Sequence, residues 1–246
     1  MGNLGLLRVD LVSLILDLWP LALIAIGVYF IWLRIRPQPE PTPTSISQPI
    51  DGAARAEVEV EFGAGELLVA GFDKNDLLFE STSLFAVEKS IQRSGDTVRV
   101  KLRRAPGAWL PATASLHGER AELFLSRKLP LVLRFNMGAC RALIDLTENK
   151  IERVEVNTGA SDITVRLPRA AGLTRAIAKG GAASIRFEVP EGVAARIVSK
   201  GGLSSINIDE KRFPKTADGF LSIGYDSAAN KVDLEIDTGV SGVSVV

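Results

Sequence analysis

A short phrase recurs six times along this chain: an apolar-x-apolar pair, a glycine, a few small residues, then a second apolar-x-apolar pair. It reads Val58-x-Val60, Gly63, Leu67-x-Val69, and returns as Leu133-x-Phe135 with Gly138 and Val154-x-Val156 with Gly159 and Ile163-x-Val165. Three more copies are Ala176-x-Ala178 with Gly181 and Ile185-x-Phe187, Ile197-x-Ser199 with Gly202 and Ile206-x-Ile208, and Leu234-x-Ile236 with Gly239 and Val243-x-Val245. From Gly138 the glycines advance by 21, 22 and 21 residues. Apolar pairs of period two inside a repeat near twenty residues predict stacked coils, each too small to bury its own apolar face. The expected fold is all-β: a single-stranded parallel β-helix, or β-solenoid.

The glycines mark the corners between two strands of a coil. A corner needs either a positive φ or a close approach to the next coil, and glycine meets both demands cheaply. The residues three and five before each glycine, and four and six after it, are expected to point inward. Ser199 breaks that rule, and the set Ala142, Ile144, Leu146 reads as shifted by one. Those two coils are expected to be less regular. The wider gaps, from Gly63 to Gly138 and from Gly202 to Gly239, predict divergent coils or inserted hairpins.

Residues 11–33 are apolar except for Ser13 and Asp17. At ~1.5 Å per residue the stretch is long enough to cross a hydrocarbon layer of ~30 Å. Trp19, Tyr29 and Trp32 lie toward its ends, where amphipathic rings favour the membrane interface. No small-x-small cleavage site follows, so a retained anchor is favoured over a signal peptide. Arg34 and Arg36 follow the span, whereas Arg8 before it is offset by Asp10, which directs the C-terminal part to the cytoplasmic side. The prolines at 37, 39, 41, 43 and 49 predict an extended linker. The expected organisation is therefore an anchor over 1–36, a linker over 37–49 and a solenoid over 50–246.

Charge and chemistry narrow the function. Lys+Arg and Asp+Glu number 29 each, which gives no reason to expect a nucleic-acid partner. Arg99, Lys101, Arg103 and Arg104 interleave with Val98, Val100 and Leu102, the pattern of a half-buried strand with a solvated basic face. Cys140 is the one cysteine and His117 the one histidine, so neither a disulfide nor a His/Cys metal site is expected. Ser115 beside His117 lacks the rest of a triad. Lys179-Gly180-Gly181 and Lys200-Gly201-Gly202 lack phosphate-loop spacing and read as corners, with the two lysines stacked on adjacent coils. β-Helix enzymes place paired acids on neighbouring coils, whereas the outward ladders here are Thr164, Arg186, Asn207 and Asp162, Ser184, Ser205. No catalytic residue, cofactor or metal is expected.

The segment running from Asp17-Leu18-Trp19-Pro20 to Ile26-Gly27-Val28-Tyr29 resembles the transmembrane region of LiaI and LiaF-type bacterial proteins. The phrases Gly63-Ala64-Gly65-Glu66-Leu67 and Gly159-Ala160-Ser161-Asp162-Ile163 are similar to the toast-rack β-solenoid that follows it there. The resemblance implies a non-enzymatic regulator or sensor of cell-envelope stress that binds a membrane signalling protein. Relatives carry two or four spans, and Gly2-Asn3-Leu4-Gly5 looks like a loop after an earlier helix, so the start is expected to be internal. The alternatives are a self-assembling scaffold and, further off, a carbohydrate-active β-helix enzyme. Val243 and Val245 end the chain without a polar cap, so the last coil is expected either to dock on a second copy or a partner, or to be covered by the insertion around Phe213, Phe220 and Tyr225.

Overall fold

In the computed structural model the described residues are 20–29, 31–32, 43–74, 76–105, 120–200, 205–239 and 242–246. Residues 20–29 and 31–32 are helical, and Leu21, Leu23, Ile24, Ile26 and Val28 on them are exposed. No helix among the described residues is long and apolar enough to cross a membrane. A crossing needs ~20 residues, and the rest of the expected span, residues 11–19, 30 and 33, lies outside the described residues. The helical piece and the β-structure belong to separate compact units.

The β-unit begins inside the expected linker. Strand β1 (Thr44–Pro49) pairs antiparallel with β3, because its Thr-Ser-Ile-Ser-Gln alternation suits an edge and Pro49 falls where the register shifts. The strands then follow as β2 (Arg55–Phe72), β3 (Leu77–Ser83), β4 (Val87–Ser94), β5 (Thr97–Arg104), β6 (Arg120–Ser126), β7 (Leu131–Asp145), β8 (Ile151–Thr158) and β9 (Asp162–Arg166). The second half holds β10 (Leu173–Gly180), β11 (Ser184–Glu188), β12 (Ala194–Ser199), β13 (Ser205–Ile208), β14 (Lys215–Thr216), β15 (Gly219–Leu221), β16 (Lys231–Thr238) and β17 (Gly242–Val245).

Two parallel ladders run through the unit. One is β5-β2-β7-β8-β10-β16-β12 and the other is β6-β2-β7-β9-β11-β17-β13, with the long strands β2 and β7 crossing from one ladder to the other at Gly63 and Gly138. Each step of both ladders is one rung of a solenoid. The inward pairs behave as expected: Val58, Val60, Leu67, Val69, Leu133, Phe135, Val154, Val156, Ile185 and Phe187 are all buried in one core. Burying a side chain of this size is worth roughly 1.5–3 kcal/mol.

The sheet is mixed rather than purely parallel, which corrects the single-stranded parallel expectation. Antiparallel strands cover the ends: β4 lies on β5, β3 and then β1 lie beyond β6, and the β14-β15 hairpin lies on β12. The stack also departs from chain order at both ends. The second rung, β5 with β6, sits on one side of the first while β7 sits on the other, and the last rung, β16 with β17, is inserted between β10-β11 and β12-β13. The first and last rungs of the chain are therefore interior. The expected shift after Gly138 is absent, because Ala142 and Ile144 stand opposite Leu67 and Val69 on one side and Ile163 and Val165 on the other.

Candidate interaction face

The corners form a column. An added Cβ on Gly138 would overlap the carbonyl oxygen of Gly63, one on Gly159 would lie 3.1 Å from the Gly138 oxygen, and those on Gly181 and Gly239 would each lie 3.3 Å from the glycine oxygen of the neighbouring rung. Positive φ occurs at other glycines, not at these. Close approach of rung to rung is thus the operative demand, and Gly202 lies outside the described residues. Ser161 clips the corner: its hydroxyl donates to the Gly138 carbonyl at 2.9 Å and accepts from the Thr158 hydroxyl at 2.7 Å and the Cys140 N–H at 3.2 Å. Cys140 is buried there, and burial pushes its thiol above the usual range against the opposing Ser161 hydrogen bond.

Val243 and Val245 are not at an open end. They are 2% and 0% exposed, with β11 on one side of their strand and β13 on the other. The edge reading for these residues is corrected by that insertion. The insertion around Phe213 acts on the terminal rung instead: Phe213 is fully buried, Phe220 packs against the core, and β15 pairs with β12. Ser199, the polar residue at an inward position, lies on this terminal rung and is exposed. Tyr225 donates to Asp233, which also receives both arms of Arg196 at 3.0 and 2.9 Å. Burial and the Asp233 contact push the Tyr225 hydroxyl up to about 12.

The outward side of the first ladder carries charge in stripes, one sign per strand over much of its width. β5 presents Arg99, Lys101 and Arg103, β2 presents Glu57, Glu59 and Glu61, β10 presents Arg175 and Lys179, and β16 presents Asp233, Glu235 and Asp237. The basic strand behaves as expected, with Val98, Val100 and Leu102 buried and Arg99 and Lys101 paired to the glutamates of β2 at 2.6–3.2 Å. Lys179 and Lys200 do not stack on each other. Asp237 stands opposite Lys179 on the intervening rung, and the two lysines pair with Glu155 at 3.4 Å and Glu235 at 2.9 Å.

Glu155 is the centre of this face. It points outward yet is only 7% exposed, because Arg134, Arg153 and Lys179 close over it at 3.6, 3.5 and 3.4 Å. Burial pushes its carboxyl up, but the surrounding cations outweigh that and hold it below the usual carboxylate range. Beside it Asn157 donates to Asn136 at 2.9 Å, and Asn136 donates to Glu59 at 3.1 Å, so polar side chains link three successive rungs. A groove of about 250 Å³ runs along the face, lined by Ser90 and Gln92 of β4 and by Glu57, Glu59, Arg134 and Arg153. Sequence reasoning missed Glu155, although an acidic residue between basic ones at the same outward phase of neighbouring repeats was its visible signal. Among the described residues no group of three or more His, Cys, Asp and Glu is placed to hold a metal ion. His117 and Ser115 lie outside them.

Stacked rungs with a glycine column, closed by antiparallel strands, define a β-solenoid of the toast-rack kind. The chain belongs to the toast-rack family: residues 37–188 match the family described as the N-terminal domain of toast_rack, DUF2154. The non-sequential rungs beyond β11 lie outside the matched residues. No curated protein matches the chain. Among solved structures it is similar to a protein of Clostridium sporogenes provisionally described as a cell adhesion protein, with a TM-score of 0.72 at 15% identity over 83% of this chain and 98% of that one. A protein of Bacteroides fragilis provisionally described as an adhesin overlaps 86% of this chain and 100% of its own at 8% identity, but its TM-score of 0.22 carries no structural argument.

Proposed function

We propose that this protein is a non-enzymatic binding module, held at a bacterial membrane by a single N-terminal span, that acts as an accessory, regulator or sensor in the cell-envelope stress response. The observation that supports this reading most is the ion-paired outer face around Glu155, where charges are presented on neighbouring strands of one ladder. A pre-ordered charged surface favours specific association because little side-chain entropy is lost on contact. The apolar stretch over 11–33 supplies the anchor, and Arg34 and Arg36 favour a cytoplasmic position for the β-unit. The adhesion description of the Clostridium sporogenes protein is in keeping with a surface that works by contact. The test is photo-crosslinking in native membranes from position 175 on this face and, as control, from position 164 on the other ladder. Recovery of a membrane signalling protein from position 175 alone is expected; equal recovery from both positions, or none, overturns the reading.

One observation favours a second reading, a scaffold that assembles end to end. Strand β13 pairs with β17 on one side, and no described residue pairs with its other edge. Sedimentation of the full chain in neutral detergent separates the two, since a scaffold forms concentration-dependent filaments and a binding module does not.

A further inference from the structure

We infer that the centre of the outer face, formed by Arg134, Arg153, Arg175 and Lys179, is a docking surface for an extended acidic peptide segment of a partner protein; this rests on the binding-module reading. Elsewhere on the face the ion pairs are close to one-to-one, as in Arg99 with Glu57, Arg196 with Asp233 and Lys200 with Glu235. At the centre the balance fails. Arg134, Arg153 and Lys179 share one carboxylate, Glu155, and Arg175 has no ion-pair partner among the described residues. Within ion-pair distance, four cations therefore have one acid among them, the carboxylates opposite Arg134 and Arg175 being engaged by Lys101 and by Arg196. Arg153 and Arg175 stand directly opposite each other on β8 and β10, at the ~4.8 Å spacing of neighbouring strands, and like charges so placed are destabilising. An anion between them relieves that repulsion; Asp233 lies on the far side of Arg175, engaged by Arg196 and Tyr225, and Glu155 is shared with Arg134 and Lys179.

The shape of the patch selects the kind of anion. It is three strands wide, so about 10 Å separates β7 from β10. Acidic stripes flank it on both sides, Glu57, Glu59 and Glu61 on β2 and Asp233, Glu235 and Asp237 on β16. A flat anionic bilayer laid on this face would meet both stripes and be repelled. A single extended chain running along the strands lies between them. The outward side chains of a strand recur every second residue, at roughly 6.7 Å, and an extended peptide with an acid at every second residue has the same repeat. Half-buried Ile177, between Arg175 and Lys179, offers apolar contact to the aliphatic stem of the side chain that faces it.

The experiment uses the full chain in neutral detergent and a fluorescent peptide of alternating glutamate and serine, read by anisotropy. Saturable binding is expected, weakened by about tenfold or more in Arg153→Gln with Arg175→Gln and by raising salt from about 50 to about 300 mM, whereas Arg196→Gln retains it. The double variant removes the repulsion and one of the three cations around Glu155, so a cooperative melt shows that it folds, and Arg175→Gln alone, which loses no ion pair, must weaken peptide binding as well. Absence of peptide binding, binding indifferent to the double substitution, or preference for phosphatidylglycerol vesicles over the peptide overturns the inference. If position 175 still crosslinks to a protein in native membranes while the peptide fails to bind, the acidic segment falls and the binding-module reading stands; if both fail, both fall.

Discussion

Replacing Gly138 with alanine tests whether rung-to-rung contact is what the glycine column serves. The new methyl would collide with the carbonyl oxygen of Gly63, a backbone atom that cannot swing aside as a side-chain tip could. To make room, the corner must open against two hydrogen bonds on its other side, Gly159 N–H to Met137 O at 3.0 Å and Ala160 N–H to Gly138 O at 3.1 Å. Overpacking of this kind costs roughly 1–3 kcal/mol, and a strained hydrogen bond adds about 1 kcal/mol, giving about 2–4 kcal/mol in all. For a domain of this size each kcal/mol lowers the midpoint by roughly 2–4 °C, so thermal unfolding followed by circular dichroism should fall by roughly 4–16 °C. The graded series is more telling than the single value. Gly159→Ala meets its neighbour at 3.1 Å and should cost about 1 kcal/mol, and Gly181→Ala at 3.3 Å less still. Gly63→Ala meets nothing within 4 Å and should be neutral or gain about 0.4–1 kcal/mol from the stiffer unfolded chain. A neutral Gly138→Ala, or a Gly63→Ala as damaging as Gly138→Ala, would falsify the argument.

The other predictions address pH, charge order and boundary. The Tyr225 hydroxyl titrates near 12 in the folded protein against 10.0 for the free side chain, so its contribution is complete below pH 10 and is lost as pH rises toward 12. Alkaline melts should show that loss in the wild type and a smaller one in Tyr225→Phe; parallel curves would remove the assignment. Asp233→Lys with Asp237→Lys puts cations beside Arg175 and Arg196 and beside Lys179, and should destabilise by about 1–2 kcal/mol in urea unfolding, less at high salt. A loss independent of salt would show that the charges are not its cause. A fragment starting at residue 43 should be soluble, β-rich and more resistant to urea than one starting at residue 50, because the shorter one strips β1 from β3; equal midpoints would place β1 outside the folding unit.

The inward half of the fold was legible because alternation reports which side chains avoid water. Val58 and Val60, or Ile185 and Phe187, needed no structure to be placed in the core. Alternation is silent on which strand lies beside which, and the errors at Val243, Val245, Lys179 and Lys200 concerned neighbours. Val243 and Val245 looked like an exposed edge because the chain stops after them, yet strand order need not follow chain order when a 22-residue connection over 209–230 separates the last two rungs. The shift read after Gly138 was not in the sequence, since Ala142 and Ile144 lie four and six residues after that glycine as Leu67 and Val69 do after Gly63, and the two pairs stand opposite each other. Residues 44–49 passed for linker because Pro43 and Pro49 flank five residues of which only Ile46 is apolar. Glu155 escaped notice because its burial comes from cations on three different rungs.

The outward charges contain the ordering that the apolar pattern lacks. Were β10 and β12 adjacent, as chain order suggests, Arg175 would face Arg196 and Lys179 would approach Lys200. The acidic strand β16 between them turns each repulsion into attraction, with Asp233 opposite both arginines and Asp237 opposite Lys179. The same rule operates at the other end. Had β7 stacked on β5, Arg134 would have met Lys101; the acidic strand β2 between them supplies Glu59 to both. Cross-strand pairs of this kind are worth roughly 0.2–1 kcal/mol each, small beside the core but large enough to choose between two stacking orders of similar apolar content. The two acidic strands that settle the order are also the two that border the basic centre around Glu155. Charge that specifies the stack therefore also delimits the docking face, and since one border comes from residues 57–61 and the other from residues 233–237, the face is complete only when the last rung of the chain has entered the stack.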